Sequence, residues 1–201
     1  GRERHDALVR EASRLWGVPD ETFRSTGQTD FRRSRVRPVM QLALVSDSHI
    51  PSRAQRLPDA FRERVRTADR VIHAGDFDSK GALSDVRDLA PELTAVAGNM
   101  DPRVGLPDVA TVEAGGVTFV VTHGTGPARG WADRVAQTVR EEADEPRVGV
   151  AGHTHEVVDS AHGDVRILNP GSVTGAAPAD RATMLTVEAS DGELDVTVHE
   201  A

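Results

Sequence analysis

The chain has no cysteine, no tyrosine and one lysine, and aromatic residues make up 3% of its 201 positions. The absence of cysteine excludes disulfides and thiolate-bound metals, and therefore zinc fingers of the thiolate type. No apolar stretch approaches the roughly 20 residues that span a bilayer, and residues 1–39 lack the apolar core of a secretory signal. We therefore expect a soluble cytoplasmic protein that acts without a membrane.

The net charge is −8, and it is unevenly distributed. Residues 1–39 carry nine arginines against six acidic residues, whereas residues 40–201 carry 15 basic and 26 acidic residues. The acidic surface expected for the second segment repels long polyanions, although a metal site can still attract one small phosphate. Nucleic acid is therefore expected as a substrate at most. The arginines of residues 1–39 also allow a basic arm that binds RNA or a partner protein.

The pattern of the chain changes near Met40. Residues 1–39 predict an N-terminal extension, with one short amphipathic helix over residues 2–16 and then a polar, basic linker. Residues 40–201 predict the main domain, because Met40 stands directly before a near-continuous apolar run typical of a buried strand. A genuine extension, a processed product and a misplaced gene start all stay open for residues 1–39.

Beyond Met40, apolar runs of strand length alternate with segments of helical periodicity, which is typical of an α/β fold with much parallel pairing. The last third of the chain turns to short strands separated by Gly, Asp and Pro, a pattern typical of antiparallel hairpins. The predicted strands are 42–46, 70–74, 93–97, 117–122, 147–151, 156–161, 165–168, 183–187 and 194–199, and the predicted helices are 58–68, 80–89 and 131–143.

Five short polar motifs each follow one of the apolar runs. They are Asp47-Ser48-His49, Gly75-Asp76, Gly98-Asn99, His123-Gly124 and Gly152-His153-Thr154-His155. In an open α/β sheet, ligands bind outside the carboxyl ends of the strands, so these loops are expected to converge on one crevice. Asp, Asn and His supply the oxygen and nitrogen donors that borderline divalent cations accept, and seven such residues exceed the needs of one ion. The sequence therefore predicts two metal ions.

This ordered set, followed by Asn169-Pro170-Gly171-Ser172, resembles the calcineurin-like metallophosphoesterases, and in particular their compact bacterial and archaeal phosphodiesterase branch. The resemblance covers residues 41–172, is expected to extend to residue 201, and leaves residues 1–39 outside. It implies an α/β fold in which two mixed β-sheets pack as a sandwich flanked by helices, here with an N-terminal helical extension. The Asn-Pro-Gly-Ser segment is expected to close the wall of the site in a structural role.

The resemblance also implies the role of each ligand and the reaction. It assigns Asp47, His49 and His155 to one ion, Asn99, His123 and His153 to the other, and Asp76 to both. Asp76, Asn99 and His123 are the residues we also assign to catalysis. Mn²⁺ is the preferred ion, with Ni²⁺, Fe²⁺, Co²⁺ and Zn²⁺ as alternatives. The implied reaction is hydrolysis of a small phosphodiester by in-line attack of a hydroxide that bridges the two ions. A homo-oligomer is compatible with all of this.

Some residues around the motifs depart from the family pattern or carry two interpretations. Many relatives have His after the Gly-Asn pair, where it can protonate the leaving group, whereas this chain has Met100. Asp101 is expected either to brace a neighbouring group or to serve a plain turn. We interpret Asp78 as a solvated turn or helix-cap residue, and His73 as a buried structural histidine rather than a support of a ligand. Arg129 is expected at the surface.

A protein-binding scaffold is the alternative function. The retromer complex contains a relative of this fold that binds proteins and has a weakened metal site. The two functions differ in the completeness of the ligand set. Here Asp76 is a carboxylate and no ligand position is lost, which favours the enzyme.

Overall fold

A computed structural model describes residues 39–103 and 105–201 of the chain. The predicted helix over residues 2–16, the basic linker and the basic arm lie outside the described residues. The boundary between residues 39 and 40 falls at the edge of that range. The division into an extension and a main domain therefore stays a prediction.

Strands and helices alternate over residues 40–142, except that three strands follow one another between residues 93 and 122, and strands alone follow from residue 147. The elements in chain order are β1 Met40–Val45, α1 Asp59–Thr67, β2 Arg70–His73, α2 Lys80–Leu89, β3 Leu93–Ala95, β4 Val109–Ala114, β5 Val117–Thr122, α3 Trp131–Glu142, β6 Arg147–Val150, β7 Val157–His162, β8 Val165–Pro170, β9 Thr183–Ser190 and β10 Glu193–Glu200.

The strands form two mixed five-stranded sheets. The first has the order β10-β9-β1-β2-β3, with β1, β2 and β3 parallel and the β9–β10 hairpin antiparallel to β1. The second has the order β4-β5-β6-β8-β7, with β5, β6 and β8 parallel and β4 and β7 antiparallel at its edges. The parallel strands at the centre of each sheet bring their carboxyl ends to one edge of that sheet.

Strand β1 shows why its sequence is apolar at every position. Successive side chains point to opposite faces of a sheet, so Leu42 and Leu44 enter the core between the two sheets while Ala43 and Val45 face the helices. All four residues are fully buried. A strand covered on both faces reads as a continuous apolar run, as the sequence predicted.

The helices cover the outer faces of the sandwich. Helices α1 and α2 pack Phe61 and Val86 against the first sheet. Helix α3 packs Trp131, Val135 and Val139 against the second sheet. Helix α2 begins at a side-chain cap, because the Ser79 hydroxyl accepts a hydrogen bond from the backbone N–H of Ala82 at 3.0 Å. No helix in residues 39–103 and 105–201 is long and apolar enough to cross a membrane.

The predicted fold class, two mixed sheets in a sandwich flanked by helices, is confirmed. Strand β4 was not predicted, and this omission was an error. Residues 109–114 alternate between inward Val112 and Ala114 and outward Glu113, and a glycine pair at residues 115–116 turns the chain into β5.

Candidate metal centre

The seven predicted ligands all lie in loops that follow the carboxyl ends of parallel strands. Asp47 and His49 follow β1, and Asp76 follows β2. The remaining ligands follow β3, β5 and β6; they are Asn99, His123, His153 and His155. Backbone hydrogen bonds join these loops, for example from Asp47 N to Gly75 O at 3.0 Å. The structure therefore brings the five motifs to one place.

One group of ligand atoms comprises Asp47, His49 and His155. His155 Nε2 lies 3.2 Å from Asp47 Oδ1 and 3.2 Å from His49 Nε2, and His49 Nε2 lies 3.9 Å from Asp47 Oδ1. All three residues are buried. Three donor atoms this close together, from three residues of the right chemistry, could hold one cation.

A second group lies around His123. Its Nε2 is 3.2 Å from Asn99 Oδ1 and 3.4 Å from Asp76 Oδ2. The same Asp76 oxygen is 3.7 Å from His49 Nε2, so Asp76 lies between the two groups, as expected of a shared ligand. Asp47 also comes within 4.8 Å of the ligand atoms of Asp76 and His123. The two groups are therefore adjacent parts of one centre.

The charge state of the centre fits cations. Burial disfavours the charged carboxylate of Asp76, yet hydrogen bonding and charge interaction with His123 hold its pKa below the usual value. Burial likewise disfavours protonated His123 and His155, but bonds to Asp76 and Asp47 respectively raise both pKa values. Buried carboxylates need a positive partner. A divalent ion bound by the same atoms would supply that positive partner.

Each of the four histidines has one ring nitrogen held by an oxygen acceptor. The Nδ1 atoms of His123 and His155 donate to the carbonyls of Ala74 and Ala176, both at 2.7 Å. The Nε2 of His153 donates to the carbonyl of Gly126 at 2.7 Å. His49 Nδ1 lies 2.9 Å from Asp78 Oδ1. A carbonyl can only accept, so each such bond places the proton on the held nitrogen and leaves the lone pair of the other nitrogen available for a metal.

The structure corrects our interpretation of Asp78 as a solvated turn or helix-cap residue. It is neither a solvated turn residue nor the cap of α2, since Ser79 caps that helix. Its side chain is 7% exposed and contacts the ring of His49. Ser52 donates its hydroxyl to the other carboxylate oxygen. Asp78 therefore orients a predicted ligand, a role that its place in a Gly-Asp-Phe-Asp-Ser turn did not reveal.

Asp101 braces the two loops that carry Asp76 and Asn99. Its carboxylate accepts four backbone hydrogen bonds, from Asp76, Phe77, Asp78 and Gly98, at distances of 3.0, 2.6, 3.0 and 2.8 Å. Three of these donors belong to the loop after β2, and the fourth precedes Asn99. Of the two interpretations of Asp101, the bracing role is confirmed.

The ligand loops are held in an unfavourable backbone conformation. Among the described non-glycine residues, seven have positive φ, and six of them lie at this centre: Asp47, His49, Asp76, Asp78, His153 and His155. The seventh, Asp191, is in the β9–β10 turn. Left-handed backbone costs on the order of 1 kcal/mol or more per non-glycine residue, and it persists where the surroundings enforce it. Such strain collects at functional sites.

Two glycines of the motifs are required by close packing. A Cβ on Gly98 would overlap the carboxylate and the backbone nitrogen of Asp76, and a Cβ on Gly152 would overlap Ser46 and the carboxylate of Asp47. Glycine lets the loops approach each other to within ligand distance. The pairing of glycine with the following ligand is therefore a steric requirement.

The Asn169-Pro170-Gly171-Ser172 segment has the structural role that we predicted. Asn169 Nδ2 donates to the Gly152 carbonyl at 3.1 Å and to Thr154 Oγ1 at 2.9 Å. Ser172 Oγ donates to the carbonyl of Asp47 at 2.8 Å. The segment thus joins the first ligand loop to the last.

His73 stands beside the centre without joining it. It is fully buried, stacks on Phe77 at 3.6 Å, and accepts a hydrogen bond from the backbone of Gly75 at 3.2 Å. Desolvation lowers its pKa to about 3, so the ring is neutral at ordinary pH. The structural interpretation of His73 is confirmed.

A cleft of about 450 Å³ opens beside the second ligand group. The residues that line it include Asn99, His123, Asp108, Thr125 and Arg134. A volume of this size is typical of small-molecule sites. Arg134 lies on α3, and nothing in the sequence distinguished it from Arg140, which is exposed on the same helix.

The fold and the ligand geometry agree with the comparisons to known proteins. The calcineurin-like phosphoesterase superfamily domain matches residues 40–192. A probable metallophosphoesterase of Methanothermobacter thermautotrophicus is 33% identical over 162 residues, which are 79% of this chain and 91% of that protein. A probable metallophosphoesterase of Methanocaldococcus jannaschii is 35% identical over 137 residues, covering 68% and 69% of the two chains. The chain therefore belongs to the calcineurin-like phosphoesterase superfamily.

The solved structures include proteins with the same fold and a sorting role in their name. Vacuolar protein sorting 29 from Cryptosporidium parvum superimposes with a TM-score of 0.66 at 22% identity, covering 81% of this chain and 98% of that chain. Identity this low shows the shared fold alone. The name of that protein therefore says nothing about the activity of this one.

Proposed function

We propose that this protein is a phosphodiesterase that uses two divalent metal ions, with Mn²⁺ preferred, to hydrolyse a small phosphodiester in the cytoplasm. The observation that carries the proposal is the position of Asp76 Oδ2, 3.4 Å from His123 Nε2 and 3.7 Å from His49 Nε2. One carboxylate oxygen thus faces both ligand groups. Asp47, His49 and His155 would hold one ion with Asp76, and Asn99, His123 and His153 would hold the other.

When bound, two such ions would activate water for in-line attack on phosphorus and neutralise the charge that develops on the phosphoryl oxygens. The residues contribute preorganisation. Asp78 and three backbone carbonyls fix the four imidazole rings before any substrate arrives. Asn99 lines the cleft and is exposed, so a substrate can reach the centre from solvent there.

The charges around the cleft favour a diester over a monoester. Arg134 is its cationic lining residue, and its guanidinium already donates to three backbone carbonyls. A monoester carries a second negative charge near neutral pH, and Asp108 in the same wall would repel it. Met100, beside Asn99, cannot supply a proton to a leaving oxygen. A singly charged diester with a good leaving group therefore suits the site.

The direct test compares bis(4-nitrophenyl) phosphate with 4-nitrophenyl phosphate, using metal-free protein reconstituted with Mn²⁺. We expect two bound equivalents and faster hydrolysis of the diester. The Asp76→Asn variant keeps an acceptor oxygen and tolerates positive φ, but an amide is a poor bridge. The variant should bind both ions more weakly, and its rate of diester hydrolysis should fall by more than about 100-fold. The matched control is Asp85→Asn, on the exposed face of α2.

Three outcomes would contradict the proposal: wild type that binds no second equivalent, wild type that hydrolyses neither ester at full metal loading, or an Asp76→Asn variant that retains two ions and the wild-type rate. The first two outcomes would favour the scaffold alternative, which otherwise has only the fold likeness to vacuolar protein sorting 29 in its support. All seven ligand positions are present in this chain.

A further inference from the structure

The connection between β5 and α3 begins with the predicted ligand His123, and its remaining residues, 124–130, contribute to the centre without supplying a ligand. Gly126 O accepts the bond from His153 Nε2 at 2.7 Å. This contact decides which nitrogen of His153 is free. Whatever fixes the Gly126 carbonyl therefore fixes the ring of a proposed ligand.

The side chain of Arg134 forms hydrogen bonds to the backbone of this loop. Its Nη2 donates to the carbonyls of Pro127 at 2.7 Å and Gly124 at 3.5 Å, and its Nη1 donates to the carbonyl of Arg129 at 3.3 Å. These three carbonyls lie on both sides of Gly126 in the chain. A planar guanidinium with five donors can hold several carbonyls at once, which an ammonium cannot do in the same geometry.

Arg134 has no carboxylate within ion-pair distance in the described part of the chain, unlike Arg140 on the same helix, which pairs with Asp164 at 2.7 Å. Its Nε is buried and has no hydrogen-bond partner there. A buried, unpaired donor costs free energy. The arginine is thus kept in the wall of the cleft for its contacts with the loop rather than for a surface ion pair.

Packing around the loop leaves little freedom for another arrangement. Gly126 has φ +131, and a Cβ there would lie 3.1 Å from the guanidinium carbon of Arg134. Trp131, in the first turn of α3, donates its Nε1–H to the carbonyl of Gly152 at 3.1 Å, directly before His153 in the chain. Two residues in the first turn of α3 therefore position His153. Arg134 holds the loop whose Gly126 carbonyl accepts from the His153 ring, and Trp131 holds the backbone directly before His153.

We propose that Arg134 is a positioning residue for the ligand group of Asn99, His123 and His153, acting through the carbonyl of Gly126. The inference rests on the proposed function, because it concerns the second of the two ions. Loss of the guanidinium would release the loop, and the His153 ring would lose its fixed acceptor. In the described part of the chain, no side chain of Asp47, His49 or His155 is hydrogen-bonded to residues 124–130. Asp47 accepts a bond from the backbone N–H of His153 at 3.1 Å, but that bond does not involve the His153 ring, so the first group should be unaffected.

The experiment titrates metal-free wild type and the Arg134→Met variant with Mn²⁺ by isothermal calorimetry, with stoichiometry checked by elemental analysis. Wild type should bind two equivalents. The variant should bind the first with unchanged affinity and the second about 10- to 100-fold more weakly. Arg140→Met is the matched control, since it removes an arginine from the same helix and should leave both affinities unchanged. A general loss of stability would instead weaken both equivalents.

A second readout needs neither metal nor activity. Long-range ¹H–¹⁵N spectra of the metal-free protein report histidine tautomers, and wild type should show His153 with its proton on Nε2. The Arg134→Met variant should show a mixture of tautomers. If this variant does not fold, Arg134→Lys provides the test, because lysine keeps the charge but lacks the planar guanidinium. Its affinity for the second equivalent of Mn²⁺ should be several-fold weaker than that of wild type.

The inference is overturned if the soluble Arg134 variant binds both equivalents as wild type does, if both equivalents weaken together, or if the His153 tautomer is unchanged. Failure of the proposed function is a separate result. It would appear as wild type that binds fewer than two equivalents, whatever the variants do.

Discussion

Replacing Asp101 by Asn should destabilise the protein and weaken the metal centre together. The Asp101 carboxylate accepts four backbone hydrogen bonds, two at each oxygen, from the loop of Asp76 and from Gly98. Asn has nearly the same shape, but one of its two terminal groups is an amide NH₂. That group would face two N–H donors and leave them without an acceptor.

The magnitude follows from those two lost contacts. A hydrogen bond to a charged group contributes about 1.5–3 kcal/mol, so two of them amount to roughly 3–6 kcal/mol. Asp101 is half-buried, so water can reach part of the loop, and the lower end of this range is expected. A loss of about 3 kcal/mol is a large fraction of the usual 5–15 kcal/mol that separates folded from unfolded states.

Urea denaturation of the metal-free protein measures this loss, and Mn²⁺ titration measures its effect on Asp76 and Asn99. The control is Asp85→Asn, an exposed acid on α2 that does not line the cleft. If Asp101→Asn stayed within about 0.5 kcal/mol of wild type, the four bonds would not hold the loops together, and the bracing role would be wrong.

Three further results are expected. Met100 is 48% exposed beside Asn99, so Met100→His should add a group able to protonate the leaving oxygen. The gain in rate should be larger on alkyl than on nitrophenyl diesters, and an equal gain on both would show that residue 100 does not face the leaving group. A protein that starts at Met40 should fold and hydrolyse diesters within a few-fold of the full chain, because β1 begins there; loss of metal binding in that protein would contradict the predicted domain division. His73 has a pKa of about 3 through burial, against 6.5 when unfolded, so below pH 6.5 the unfolded chain binds a proton that the native state rejects. The free energy of unfolding should therefore fall by about 2 kcal/mol between pH 6.5 and pH 4.5 through this residue, and His73→Asn, compared with wild type by urea denaturation at several pH values, should lack that part of the fall; the same fall in both proteins would refute it.

The sequence contained enough information for the fold class and for the set of converging motifs. An apolar run such as the one that forms β1 and a polar motif directly after it predict a ligand at a strand end, because parallel strands end at a common edge. The structure brings the side chains of Asp47, Asp76 and His123 within 4.8 Å of one another. The assignment of particular ligands to particular ions stays a prediction.

The groups that hold the ligands were harder to predict, because their partners are distant in sequence or are backbone atoms. Asp78 contacts a histidine 29 residues away, and a short acidic turn before a helix has a simpler local interpretation as a cap. Arg134 binds carbonyls, which every residue carries, so no pattern of side chains marks it. Strand β4 was missed for a related reason, because its identity depends on pairing with β5.

The strained backbone and the buried charges of the centre have a common consequence for stability. Positive φ at Asp47, His49 and Asp76 costs free energy in the folded state, and so does placing two carboxylates in the interior. The bond between His123 and Asp76 offsets part of this cost, although burial disfavours the protonated ring. Divalent cations bound by the same atoms would carry more charge, and they would bind the folded state more tightly because only that state brings these atoms together, so they would stabilise it by mass action. If the centre holds the two proposed ions, the geometry that prepares it for them should also make the stability of the native state rise with metal loading, so folding and metal binding should be coupled in this protein.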